Sequence, residues 1–185
     1  MMTMLRLAAV SLLMLVAAPC IAEQIDFRKV TLSLSEDGYI MLDAEIRYTL
    51  TDTVSEALEN GVPLTFETHV QMRRAEAWIW ESDVVEHRLR TVLRYRPLSG
   101  LYELRNFQDD EPLAFATRDS ALRALGRIVA MPVVSREELD LDDEYLVRIR
   151  VHLDIEALPL PMRPGAYLSR DWSIASETWE WRLKP

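Results

Sequence analysis

Five arginines stand in two short segments at positions that share a parity: Arg88, Arg90 and Arg94 in one, Arg148 and Arg150 in the other. Residues two apart on an extended chain point to the same side, so each set would present its guanidinium groups on one face. A guanidinium is a planar fork that donates paired hydrogen bonds to a carboxylate or a phosphate. If the two segments lie side by side, the sets merge into an arginine ladder suited to an anionic headgroup, a carboxylate or an acidic partner. The competing expectation is cross-strand pairing of the same arginines with Glu86, Glu103 and Asp154. Tryptophans form the second conspicuous set. Trp78 and Trp80 share a parity, as do Trp179 and Trp181, with Trp172 not far away. Such aromatics are expected in a core between sheets, whereas an exposed Trp78 and Trp80 would offer aromatic area to a partner or an apolar ligand.

Other chemistry is sparsely marked. His69, His87 and His152 are far apart in sequence, with His69 and His152 on outward parities and His87 on an inward one. They are expected to be hydrogen-bonded structural histidines, since a metal site needs convergent ligands. Residues 137–144 hold six carboxylates in eight positions, but without the central glycine and the spacing of a calcium loop. A solvated acidic loop is the expectation. The sequence has no glycine-rich phosphate loop, no HExxH and no GxSxG. No catalytic residue, cofactor or metal is therefore expected.

Composition narrows the classes further. With 185 residues, 49% hydrophobic and 28% charged, the chain is too apolar for disorder, and its single cysteine cannot build a disulfide scaffold. The net charge of -9 argues against nucleic acid as a partner, because phosphate binding needs a dense cationic surface. Residues 1–22 read as a secretory signal peptide: Arg6, an apolar run from Leu7 to Ala18, then Pro19 and Cys20-Ile21-Ala22 before Glu23. The run is about a dozen residues, short of the roughly 20 that span a bilayer. Acylation of Cys20 is disfavoured by Pro19, which stands where lipoprotein signals carry a small residue. Cleavage after Ala22 would leave residues 23–185 as one cysteine-free domain in an oxidising compartment, the periplasm. Peripheral association with a membrane is left open.

The elements that must carry these residues are mostly strands. Strict period-two alternation marks residues 40–50, 62–73 and 145–155, and weaker alternation marks Ile25–Leu34, 75–81, 84–96, 101–107, 113–117, 167–174 and 176–183. One-sided burial of this kind belongs to antiparallel sheets. Two short helices interrupt them. One begins with a capping box, Thr53-Val-Ser-Glu56, and ends at Gly61; the other is expected over residues 118–130, with Pro132 closing it. The fold expected is a mainly β, antiparallel, sandwich-like single domain with two short α-helices. A closed barrel is the alternative.

Four stretches resemble a bacterial family of exported proteins known as domain of unknown function 4390: LTDTVSEALENGVPLTF (50–66), LRYRPLSGLYEL (93–104), SALRALG (120–126) and YLVRIRVHLDIEALPLPMRPGAYLSRDWSIASETWEW (145–181). The resemblance supplies no catalytic residues. It implies a place in the envelope, where members are encoded beside membrane sensor histidine kinases. The function expected is thus a non-enzymatic exported binding or adaptor protein, associated with an envelope protein or a sensor kinase. The alternative is a binder of an apolar or anionic small ligand held between the sheets.

Overall fold

The computed structural model describes residues 24–78, 83–106 and 111–185. Among these residues nine strands form two antiparallel sheets. The smaller has three strands in the order β1 (Ile25–Leu34), β2 (Tyr39–Tyr48), β7 (Arg127–Ser135). The larger has six, in the order β6 (Leu113–Phe115), β5 (Leu101–Asn106), β4 (Val85–Arg96), β3 (Leu64–Arg74), β8 (Tyr145–Leu153), β9 (Trp179–Leu183). Both sheets are open, so the arrangement is a sandwich and not a closed barrel. The helices are α1 (Asp52–Glu59), α2 (Arg118–Leu125) and α3 (Arg163–Leu168), one more than expected.

Alternation drives the packing. From β2, Ile40 and Leu42 face the interior and share a cluster with Val70 and Met72 of β3 and Val147 and Ile149 of β8, while Ala44 and Ile46 join a second cluster with Phe66 of β3 and Val151 and Leu153 of β8. Where the smaller sheet stops, α1 and α2 cover the larger one with Val54, Leu58 and Ala121. At about 25 cal/mol per Å² of apolar surface removed from water, these inner faces supply the main folding force. His87 reaches across the sandwich from β4, its Nε2 donating to the Val133 carbonyl at 2.8 Å.

Four local expectations are corrected. The cap of α1 is Thr51, whose hydroxyl accepts the Val54 N–H at 3.2 Å, while Thr53 donates instead to Asp171 Oδ2 at 2.9 Å. A distant carboxylate has taken the hydroxyl that a capping box would use. The helix expected over 118–130 ends at Leu125, and β7 follows from Arg127. Its apolar spacing fits either period, and Gly126 decides between them because its carbonyl accepts the Ile46 N–H at 2.8 Å and starts the pairing with β2. Residues 167–174 are not a strand but the end of α3 and a 3-10 turn, Arg170–Trp172, since Pro164 suits the first turn of a helix. Residues 75–78 are no strand either, and the rest of the segment 75–81 lies outside the described residues.

A bulge in the pairing of β2 with β7 falls between Leu42 and Ala44, opposite Ala130. Ala130 has φ 48° and its N–H is held by Asp43 Oδ1 at 3.1 Å. The left-handed conformation strains any residue with a Cβ. Ala130→Gly is therefore expected to stabilise the fold by up to about 1 kcal/mol, part of the relief being offset by the freer unfolded chain. Urea denaturation of the two proteins measures it, and a loss of stability would show that the Ala130 methyl group contributes packing.

Candidate functional site

The five candidate arginines do reach one surface, the outer face of the six-stranded sheet, but not as neighbours. β3 runs between β4 and β8 and pairs with both. Register therefore builds rows across three strands: Arg90, Glu67 and His152 in one, Arg88, His69 and Arg150 in the next, and Glu86, Gln71 and Arg148 in the third, extended by Glu180 of β9. The expected ladder is split by a strand that alternates acid, histidine and amide.

Some of the arginines have partners. Arg90 Nε donates to Glu67 Oε2 at 2.7 Å and lies 3.8 Å from Asp154, and Arg148 Nε donates to Glu180 Oε1 at 2.7 Å. Arg88 turns to Glu86 on its own strand at 2.7 Å, and the same Glu86 oxygen accepts from His69 Nε2 at 2.8 Å. Arg94 faces Glu103 in the register, yet Arg96 holds that carboxylate at 2.8 Å. Among the described residues no carboxylate lies within ion-pair reach of Arg94, Arg105 or Arg150.

Among the described residues Glu67 is the one buried carboxylate of the face, 5% exposed. Burial alone would push its carboxyl up, but the hydrogen bond and charge of Arg90, with His152 and Arg88 behind, hold it below the usual carboxylate range. A depressed folded value means stability that is present above the unfolded value and is lost as pH falls through the folded one. Glu67→Gln should lower Tm by a few degrees near pH 7, and the gap should close only as pH falls below the ordinary carboxylate range and through the depressed folded value, where the native carboxylate becomes neutral too. Melting curves across pH check this. A gap that stays constant with pH would place the effect in packing.

Arg73, on the same outer face, donates from Nη2 to the carbonyls of Ala77 and Trp78 at 3.1 and 3.0 Å. It fixes the backbone at Trp78, whose side chain is 66% exposed at the margin of the arginine surface. Trp80 lies outside the described residues. The other tryptophans divide. Trp172 is in the core, while Trp179 and Trp181 stack at 5.9 Å on β9, with Trp181 half-exposed. The core expectation thus holds for Trp172 and fails for Trp78 and Trp181, both more than half exposed.

Sequence reasoning missed Arg96, Arg105 and Arg182 of this face, together with Glu67 and His69 at its centre. Parity along β5 and β9 was the signal for Arg105 and Arg182. The position of β3 between the two arginine strands had no local signal. The acidic stretch 137–144 is a loop carrying a 3-10 turn, Arg136–Glu138, with Leu139 buried; Asp143 pairs with Arg74 at 2.8 Å and Glu144 with Arg182 at 3.2 Å. Among the described residues no three His, Cys, Asp or Glu side chains converge as metal ligands. Several cavities open on the surface of the described residues. One of about 800 Å³, between α2 and β2, is lined by both signs of charge, Arg47, Arg123 and Arg127 with Glu45 and Asp119.

No helix among the described residues is long and apolar enough to cross a membrane. No curated protein and no solved structure matches the chain. A family model does match it, over residues 22–182, and the chain belongs to that family, described as Domain of unknown function (DUF4390).

Proposed function

We propose that this protein is a non-enzymatic binding or adaptor module of the bacterial envelope, with the outer face of the six-stranded sheet as the surface that meets an acidic partner. The observation that carries the reading is the unequal distribution of charge. On β3, β5 and β9 the arginines and glutamates of that face balance, whereas β4 sets Arg88, Arg90, Arg94 and Arg96 against Glu86 alone, and β8 adds Arg148 and Arg150 with no carboxylate. This cationic surface belongs to a chain of net charge -9. A field of one sign on a molecule of the other steers association with a complementary partner.

The leader-like residues 1–22 and a family match that begins at residue 22 support export to the periplasm. The family resemblance makes a membrane sensor kinase one partner to look for. An interior ligand has less support, because Leu42, Val70, Met72, Val147 and Ile149 fill the space between the sheets.

Co-purification of the tagged full chain from native membranes and periplasm tests the proposal. An envelope protein should be recovered above background, and the double variant Arg94→Glu, Arg150→Glu should reduce its recovery at least about ten-fold, as expected when charges across an interface become like. Recovery of no partner, or equal recovery by the variant, would overturn it.

A further inference from the structure

On the same face, a polar pocket of about 230 Å³ is lined by His69, Gln71, Arg148, Arg150, Thr178 and Glu180. Four of its six lining residues are already committed. His69 is held by Glu86 at 2.8 Å, Gln71 donates to Asp83 at 2.9 Å, and Arg148 donates from Nε to Glu180 at 2.7 Å. Arg150, exposed in the pocket, has no such partner among the described residues.

The row to which it belongs sharpens the point. Arg88, His69 and Arg150 stand directly opposite one another on three adjacent strands, and this row contains no carboxylate of its own. Basic side chains directly opposite are unfavourable in a sheet. Glu86, from the neighbouring row, offsets two of the three by bonding both Arg88 and His69. Among the described residues no carboxylate lies within ion-pair reach of the third, Arg150. A guanidinium left open in a pocket where His69, Gln71, Arg148 and Glu180 are fixed by hydrogen bonds is a preorganised donor for an anion.

We infer that this pocket binds a single oxyanion group, a carboxylate or a phosphate, with Arg150 as the forked donor. The terminal N–H groups of Arg148 and the hydroxyl of Thr178 are the further donors. The inference deepens the reading above by naming the chemistry of the partner's group, and it rests on that reading only for the source of the group.

Calorimetric titration of the purified full chain with inorganic phosphate, with succinate and with a glutamate-rich peptide tests it. Saturable binding is expected, weakened at least about ten-fold by Arg150→Gln and unchanged by Lys29→Gln, which removes one cation from the other sheet. Tighter binding of the peptide assigns the group to a protein partner, and equal or tighter binding of phosphate or succinate assigns it to a free anion. Non-saturable heats, or equal weakening by both substitutions, would overturn the pocket. The two readings fail separately. Partner recovery without small-anion binding removes the pocket alone, and anion binding without any partner removes the adaptor role alone.

Discussion

Gly126→Ala is expected to cost about 3 kcal/mol and to lower Tm by about 10 °C, because overpacking against a backbone that cannot move is among the few changes with effects this large. Gly126 follows α2, where its own N–H closes the helix on Leu122 at 3.0 Å and its carbonyl accepts from Ile46 at 2.8 Å. A Cβ built there would overlap the Ile46 carbonyl. Its φ is -80°, so the obstacle is contact and not conformation. Relief would require α2 to withdraw from β2, breaking the first bond of the β2–β7 pairing. Thermal melts by circular dichroism measure the loss. Wild-type melting of the variant would mean that α2 does not approach β2 this closely.

Trp172→Ala is expected to cost about 3–5 kcal/mol, the range for deleting a large aromatic from a core. Trp172 is 6% exposed and shares its cluster with Leu58, Leu158, Ala166 and Ile174. It is carried on a short 3-10 turn, which has no sheet to hold it. Two bonds fasten that turn to α1: Thr51 donates to the Asp171 carbonyl at 2.9 Å and Thr53 to the Asp171 carboxylate. Trp172→Phe should recover part of the loss by refilling part of the volume. Urea midpoints of the three proteins check the order, and a midpoint for Trp172→Ala within error of the native protein would contradict it. Hydrogen exchange should then rise first in residues 155–174, the stretch that Trp172 anchors.

Much of this architecture was legible where one face of a strand is buried and the other wet. β2 and β8 alternate because each presents alternate residues to the interior, β3 does so from Thr68 onward after a stretch buried on both faces, and β1 was placed to the residue. The same logic put Arg88, Arg90, Arg94, Arg148 and Arg150 on outward parities. Strand order was not legible. Parity says which way a side chain points but nothing about which strand lies beside it, so Glu67 and His69 came between the two arginine sets unannounced. Nor was the end of α2. Ala121, Leu122, Leu125, Ile128 and Val129 satisfy a helical period whether or not the helix continues, and the deciding contact, Gly126 against Ile46, joins residues 80 apart in sequence. Around α3 the bulky residues Tyr167, Trp172 and Ile174 suggested a strand, while Pro164 and tertiary burial of Trp172 and Ile174 imposed a helix and a turn.

We propose the outer face of the six-stranded sheet, and not that of the three-stranded sheet, as the contact surface. A photo-crosslinking amino acid placed at Arg94 on β4 and, separately, at Thr31 on the exposed side of β1 tests this in the native envelope. An adduct of defined mass from position 94, with none from position 31, is the result the charge distribution predicts. An adduct from position 31 alone, or equal adducts from both, would contradict it.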